Sequence, residues 1–409
     1  MTRAATTPMT IDEAMRALMD RLVPVGVERA ELSEAAGRVL AETIVADRPS
    51  PPVNVSAMDG VAIRLEDVEA LASRGLPVAG EAAVGRSAPN LPTGAALWIF
   101  TGGPVPTGAD AVVQREWLIE SPGEVRLAPH VDADAITRGM HIRRQGENAR
   151  AGDALAQPGV LITPALLGAL ASVGAVRPLV RQRVRVAIIV TGDELSDAGA
   201  APAPTGLRDS NGPAVASLLG AKLWIDVVSR RRVRDRLDDI RVALAHACQR
   251  ADCIITTGGV SMGNHDHVPA AAAALDAETI FHRLAIKPGK PVFAARCANG
   301  PLLLGLPGNP VSALVTAKRI ALPAIARLAG APASVARPEA RAQLQEPLDH
   351  PSPITRFALV ERCGVDTVRL MSNRGSGDLA AAARSDGFVQ IPANDIGDTP
   401  VDYYSWSGA

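Results

Sequence analysis

Three short segments constrain this 409-residue chain more than any other feature. Residues 184–190, 253–257 and 302–304 are runs of mostly apolar and β-branched residues, and each passes directly into a loop of Gly, Ser, Thr, Asp, Asn or Pro. A strand that is apolar throughout has both faces covered, as in a parallel sheet packed between helices. Helical stretches at 214–219, 236–247 and 311–328 alternate with these strands, as an α/β architecture requires. In such sheets the carboxyl ends of the strands meet helix N-termini, whose unpaired N–H groups and partial positive charge favour phosphate and other anions.

The loops are Thr191-Gly192-Asp193-Glu194, then Gly258-Gly259-Val260-Ser261-Met262-Gly263-Asn264-His265-Asp266-His267, and Gly305-Leu306-Pro307-Gly308-Asn309-Pro310-Val311-Ser312. In the last, Asn309 suits an N-cap and Pro310 the first helical position. One such loop needs no explanation beyond turning the chain. Three from one sheet should converge, and they set Asp193, Glu194 and Asp266 beside residues small enough for backbone to approach a ligand. Carboxylates beside a phosphate-type loop make sense with a divalent cation between them, and oxygen donors point to Mg²⁺. Basic partners come from 283–291, where Lys287 and Lys290 flank a Pro-Gly turn and can address one oxyanion.

The rest of the chain is modular, because a single core stops growing well below this length. Thr10-Ile11-Asp12-Glu13 fits a capping box ahead of Ile11, Met15, Leu18 and Leu22 at helical spacing. We expect a helical, elongated domain from residues 1–46 and 147–180, interrupted by a β-rich insert at 47–146 with frequent Gly and Pro. The α/β domain spans 181–329. Beyond it, 330–409 reads as a small C-terminal β domain with strands near 357–360, 368–371 and 388–391. With net charge −1 and only 5 Phe, 2 Tyr and 4 Trp, neither nucleic-acid binding nor a membrane location is expected. The apolar stretch 161–176 is broken by Thr163, Pro164, Ser172 and Gly174 and reads as a packed helix. Cys248, Cys253, Cys297 and Cys363 lack the spacing of a zinc site or disulfide framework, and the N-terminus lacks the apolar core of a signal peptide, so a cytoplasmic protein is expected.

Other motifs carry less weight. His265 and His267 without a third distant ligand read as polar lining rather than a zinc site. Gly375-Ser376-Gly377-Asp378-Leu379-Ala380 fits a relaxed dinucleotide fingerprint, but the segment after it is too short for the βαβ unit. Arg230 to Arg236 reads as a solvated face or a local anion clamp.

Taken together, S-A-M-D-G at 56–60, T-G-G-P-V-P at 101–106, R-R-Q-G-E-N at 143–148, T-G-D-E-L at 191–195, G-G-V-S-M-G at 258–263, K-P-G-K-P at 287–291 and L-P-G-N-P-V-S at 306–312 closely resemble the MoeA family. These are molybdopterin molybdenumtransferases, related to the gephyrin E domain. The resemblance runs in order along essentially the whole chain and implies insertion of molybdate into adenylylated molybdopterin, with Mg²⁺-dependent release of AMP. It also implies an elongated homodimer of four-domain subunits, its α/β domain of the molybdopterin-binding type. Further partners implied are the adenylyltransferase that makes the substrate and the molybdoenzymes that accept the product.

Carried over by motif, Asp59 and Thr101 match positions facing the partner's cleft, Asp59 with a catalytic role and Thr101 with a substrate-binding one. Glu194 and Asp266 match acidic catalytic positions and Mg²⁺ ligands, with Ser261 a small polar catalytic neighbour. Asp209, Gly258 and Gly259 match substrate-binding positions, and Asp235 a further acidic one. Lys287 and Lys290 match lysines that address molybdate or phosphate, and Arg356 and Ser376 would complete the oxyanion site. Asn148 stands where many relatives have Asp, and Arg283 where some have Lys. One rival is the preceding adenylylation of molybdopterin with ATP, which would need neither residues 1–180 nor the tail. Another is a scaffold built on an inactive copy, which would not need the charge set Asp59, Glu194, Asp266, Lys287 and Lys290.

Overall fold

The computed structural model describes residues 8–260, 267–297 and 300–407. The chain forms two compact units, Met1–Glu42 with Gln157–Gly168 and Val176–Ala409, and Thr43–Ala156 with Ala169–Ala175.

The first unit is organised around a six-stranded sheet. Ile225–Val233 lies at one edge, followed by Val184–Thr191, Cys253–Thr257 and Leu302–Leu306, all parallel. Alternate residues of the strand Val184–Thr191 enter two separate cores. Val186, Ile188 and Val190 pack with Val215 and Leu219 of the helix Asn211–Gly220, while Ala187 and Ile189 pack with Ile240 and Leu244 of the helix Leu237–Cys248. Burial on both faces explains why these strands are apolar without alternation.

The expectation of a parallel sheet needs one correction. Phe293–Arg296 and Glu278–His282 complete the far edge antiparallel. Cys297 donates its N–H to the Pro301 carbonyl, so Phe293–Arg296 turns into Leu302–Leu306 within a few residues, and a parallel crossover would need a dozen or more. At the opposite edge, Arg230, Arg231 and Arg232 lie on Ile225–Val233, where charged side chains discourage further strand pairing.

At the start of the described chain, Thr10 and Glu13 form the capping box, with the Glu13 carboxylate accepting from the Thr10 N–H at 2.9 Å, and the helix runs Ile11–Met19. After the last parallel strand the chain stays helical from Pro310 to Leu328, passing through a π-helical turn at Ala317–Ala321. That turn carries Lys318, whose side chain is 5% exposed and whose Nζ lies 2.6 Å from Glu339 Oε1.

The C-terminal strands close into a small barrel. Thr355–Arg362 pairs with Gly387–Ile391 on one side and with Thr367–Leu370 on the other, and Ala340–Leu344 and Val401–Ser405 complete the ring. The strand Ile286–Lys287, contributed by the chain between Glu278–His282 and Phe293–Arg296, adds to the start of Thr355–Arg362 in parallel, with Ile286 opposite Thr355 and Lys287 opposite Arg356.

The second unit is built on another six-stranded sheet, in the order Ala111–Gln114, Gly60–Ile63, Ala96–Ile99, Leu76–Ala82, Glu124–Leu127 and Leu118–Ser121. Gly60 is required here, since a Cβ would stand 2.0 Å from the Val113 carbonyl oxygen. In the stretch read as a packed helix, Pro164–Ser172 is helical. No helix among the described residues is long and apolar enough to cross a membrane.

Candidate functional site

The carboxyl ends of Val184–Thr191, Cys253–Thr257 and Leu302–Leu306 open into one cavity of about 940 Å³. Glu194, Asp209, Gly258, Gly259, Lys287, Lys290, Arg356 and Ser376 all line it, as does Asp235. Of the remaining sequence candidates, Ser261 and Asp266 lie outside the described residues, and Asp59 and Thr101 belong to the second unit.

The glycine loops form the floor of the cavity. Gly258 has φ +91°, and a Cβ there would come within 2.7 Å of the Thr191 carbonyl oxygen and 2.8 Å of its Oγ1. Only a residue without a side chain lets the chain leave Cys253–Thr257 this close to the neighbouring strand. The Gly258 N–H donates to the Leu306 carbonyl at 3.1 Å, which ties two of the loops together. Asn211 Nδ2 donates to the Gly308 carbonyl at 2.7 Å, and Asp209 Oδ1 accepts from the Gly212 N–H at 2.8 Å at the start of the same helix. These bonds hold Gly258, Gly308 and the start of Asn211–Gly220 in place before any ligand arrives.

The basic wall comes from two distant parts of the chain. Lys287 and Lys290 bracket Pro288 and Gly289, and Gly289 at φ +109° sits where a Cβ would meet Thr316 Cγ2 at 2.6 Å. The barrel supplies Arg356 through its pairing opposite Lys287. It also supplies Ser376, whose Oγ accepts from Asn309 Nδ2 at 2.9 Å and whose carbonyl accepts from the Val311 N–H at 3.0 Å. Lys287, Lys290 and Arg356 are exposed, and no ion pair among the described residues engages them. Three cations facing one cavity with their charge uncompensated suit a ligand carrying several negative charges. Opposite in sign, Glu194 and Asp209 line the same cavity, while Asp193 turns aside to accept from the Asp235 N–H at 3.1 Å.

Sequence reasoning missed several lining residues. Asn309 suits an N-cap by sequence, yet its side chain reaches Ser376, and Asn211 and Asn373 line the cavity with no local signal that marks them. The Gly375–Asp378 segment is a turn, with Asp378 capping the short helix Leu379–Arg384 through the Ala381 N–H at 3.0 Å.

In the second unit Asp59 and Thr101 form a local pair. Asp59 precedes Gly60–Ile63 and Thr101 follows Ala96–Ile99, and Gly60 lies opposite Ile99. The Thr101 N–H and hydroxyl both donate to Asp59 Oδ1, at 2.8 and 2.9 Å. These two bonds hold the exposed Asp59 carboxyl below the usual carboxylate range, the backbone N–H contributing most. Its contribution to stability is therefore complete above the ordinary carboxylate pKa and is lost as pH falls through the folded value. Replacing Thr101 by Val should raise the Asp59 pKa while leaving the backbone bond, which an NMR titration of the Asp59 carboxyl carbon reads directly; an unchanged value contradicts the pairing. Asn148 accepts from Arg143 Nη2 at 2.6 Å, and Glu147 accepts from Arg143 Nε at 2.5 Å. Arg143 already has a carboxylate partner, so a neutral side chain at 148 leaves no charge unpaired.

Fold and cavity together define an α/β protein with an appended β-barrel and a cavity lined by Lys287, Lys290 and Arg356. The profile of the MoeA N-terminal region (domain I and II) matches residues 9–174, and that of a probable molybdopterin binding domain matches 187–327. A molybdopterin molybdenumtransferase of Staphylococcus epidermidis is 31% identical over 96% of this chain and 93% of its own length. Its counterpart from Haemophilus influenzae is 34% identical over 79% of this chain and 78% of its own. The crystal structure of a molybdopterin biosynthesis MoeA protein from Pyrococcus horikoshii superposes with a TM-score of 0.78 at 25% identity, covering 98% of this chain and 97% of that one. The chain belongs to the molybdopterin molybdenumtransferase family.

Proposed function

We propose that the cavity binds adenylylated molybdopterin and molybdate and that the chain transfers the metal oxide to the dithiolene, releasing AMP with the help of Mg²⁺. The chain is a transferase of molybdenum cofactor biosynthesis, and the observation that carries this site assignment is the gathering of Lys287, Lys290 and Arg356 together with Glu194 and Asp209 around one cavity. In this reading Lys287, Lys290 and Arg356 hold the tetrahedral dianion, Ser376 adds a hydroxyl, and Gly258 and Gly259 offer backbone to the phosphates.

The donor chemistry fits Mg²⁺. Among the described residues no three His, Cys, Asp or Glu side chains gather into a cluster that could hold a metal alone. Mg²⁺ commonly takes one or two protein carboxylates and completes its shell with waters and substrate phosphates. Glu194 would supply one carboxylate, and Asp266 is the second candidate by sequence. When bound, the cation would draw charge from the pyrophosphate bridge and ease departure of AMP.

The reading is tested by incubating the purified chain with adenylylated molybdopterin, Mg²⁺ and either molybdate or tungstate while following AMP and metallated cofactor. We expect oxyanion-dependent AMP release. Release that ignores the oxyanion, or adenylylation of free molybdopterin by ATP in its place, overturns it. Lys287→Ala should lower kcat/KM for the oxyanion roughly tenfold to a hundredfold, the value of one charge-assisted hydrogen bond at about 1.5–3 kcal/mol. A variant with unchanged kcat/KM removes Lys287 from the role.

We also infer, from the family resemblance, a homodimer in which Asp59 and Thr101 serve the partner's cavity. Impaired Asp59→Asn and Lys287→Ala chains mixed and reassembled should then rise to roughly a quarter of native activity, above the residual activity of either alone, because half of the dimers carry one intact site of two. Recovery of none argues that each chain works alone. Four free cysteines suit the reducing cytoplasm, where we place the protein.

A further inference from the structure

Two of the four cysteines meet at the end of the central sheet remote from the cavity. Cys248 closes the helix Leu237–Cys248, just before the chain enters Cys253–Thr257, and Cys297 follows Phe293–Arg296, just before Leu302–Leu306. Both positions therefore lie at the amino ends of the parallel strands, whereas the cavity lies at their carboxyl ends. The two sulfur atoms are 3.5 Å apart and hydrogen-bonded, although the residues are 49 apart in sequence. Disulfide formation needs the sulfurs to close to about 2.05 Å, a movement of side-chain torsions when the thiols already touch.

The two thiols are not equivalent. Cys248 is half-buried and reachable, and Cys297 is 6% exposed. Between the neutral thiols Cys248 Sγ donates to Cys297 Sγ, and once Cys248 ionises its thiolate accepts from Cys297 instead; this bond lowers the Cys248 thiol to about 7 against the opposing effect of burial, and it raises the Cys297 thiol. Cys253, fully buried, is pushed up by desolvation, and Cys363 is exposed but sits on the barrel, away from this pair. One accessible thiolate beside one sheltered resolving thiol is the arrangement of a reversible oxidation site.

We propose that Cys248 and Cys297 form a peroxide-sensitive dithiol that closes to an intramolecular disulfide. The Cys248 thiolate attacks one peroxide oxygen, the O–O bond breaks, and the departing hydroxide takes up the proton that Cys248 released on ionising and leaves as water, giving a sulfenic acid. The Cys297 sulfur then attacks the Cys248 sulfur, the S–O bond breaks, and the departing hydroxide takes the Cys297 proton as a second water. In total two thiols are oxidised and one hydrogen peroxide is reduced, and a dithiol reductant reverses the change. The bridge restrains the unfolded chain between residues 248 and 297 and pins the last turn of the helix to the sheet, so it raises the unfolding temperature of the α/β unit. Lying opposite the cavity, it leaves catalysis unchanged.

The test uses the whole chain exposed to stoichiometric hydrogen peroxide, alkylated after unfolding, and digested for peptide mass spectrometry. Cys248 and Cys297 should become protected together as one linked peptide pair lighter by two hydrogens, with Cys253 and Cys363 still alkylated. Dithiothreitol should restore both thiols, and the oxidised chain should melt at a higher temperature. A Cys297→Ser chain should instead accumulate a sulfenic acid on Cys248 that dimedone traps. The proposal is overturned by Cys248 passing to sulfinic acid while Cys297 stays free, by cross-links between chains through Cys363, or by four thiols that remain reduced. If Cys297→Ser fails to fold, the native-chain result decides alone.

Discussion

Replacing Glu339 by Gln should destabilise the first unit by about 3–5 kcal/mol, because it leaves a buried ammonium without its counter-charge. Lys318 Nζ and Glu339 Oε1 are 2.6 Å apart with the lysine almost completely enclosed, and the second carboxylate oxygen accepts from the Ser405 N–H at 3.2 Å. Lys222 is also buried nearby; burial and the Lys318 charge lower its pKa, and Glu339 partly offsets them. Removing this carboxylate would therefore strip Lys318 of its counter-charge and leave its repulsion with Lys222 without the offset that Glu339 supplies. The change is read as a shift in denaturant midpoint, followed by fluorescence of Trp224 and Trp406, which both pack on the larger core of this unit. Adding Lys318→Met to Glu339→Gln should recover most of the loss, since an apolar chain of similar length needs no partner. A single variant that loses less than about 1 kcal/mol would falsify the view that the pair matters.

A contrast between two glycines of the cavity gives the second large effect. Gly258→Ala places a methyl 2.7 Å from the Thr191 carbonyl oxygen and forces an L-residue to φ +91°. The obstacle is strand backbone, which cannot rotate away. The left-handed conformation alone costs about 1–2 kcal/mol. Relief of the clash must then pull the loop off the cavity floor, so activity should fall by more than about a hundredfold. Gly308→Ala is the control. Its Cβ would meet Gly258 Cα at 3.5 Å, an ordinary contact, with no positive φ to sustain. We expect stability within about 0.5 kcal/mol of native for this variant. Equal activity losses in the two variants would show that side-chain bulk in the cavity, rather than backbone placement, is what matters.

Legibility in the sequence followed how local each signal was. Strands enclosed on both faces are apolar runs, so Cys253–Thr257 stood out with the loop after it. Glu278–His282 and Phe293–Arg296 did not, because their antiparallel pairing depends on how the chain returns through residues 283–292 and after Cys297 rather than on composition. Lys287 and Lys290 were visible as a pair because Pro and Gly separate them. That Arg356 stands opposite Lys287 follows from a two-residue strand, which carries no periodicity, joined to a partner 69 positions away. Local spacing reports nothing about such a register. The Lys318 pairing with Glu339 was equally hidden, since a lysine within an apolar helix reads as solvated until its surroundings are known.

The register between Ile286–Lys287 and Thr355–Arg356 limits how this chain can be recombined with its relatives. A chimera with a crossover at residue 330 would seem to exchange a self-contained tail. It would in fact mate a foreign barrel with a native guest strand, and any mismatch there would misalign the lysine and arginine carried on the two sides. Segment 284–291 must travel with the tail it stitches, so the heritable module here is discontinuous in sequence although contiguous in space.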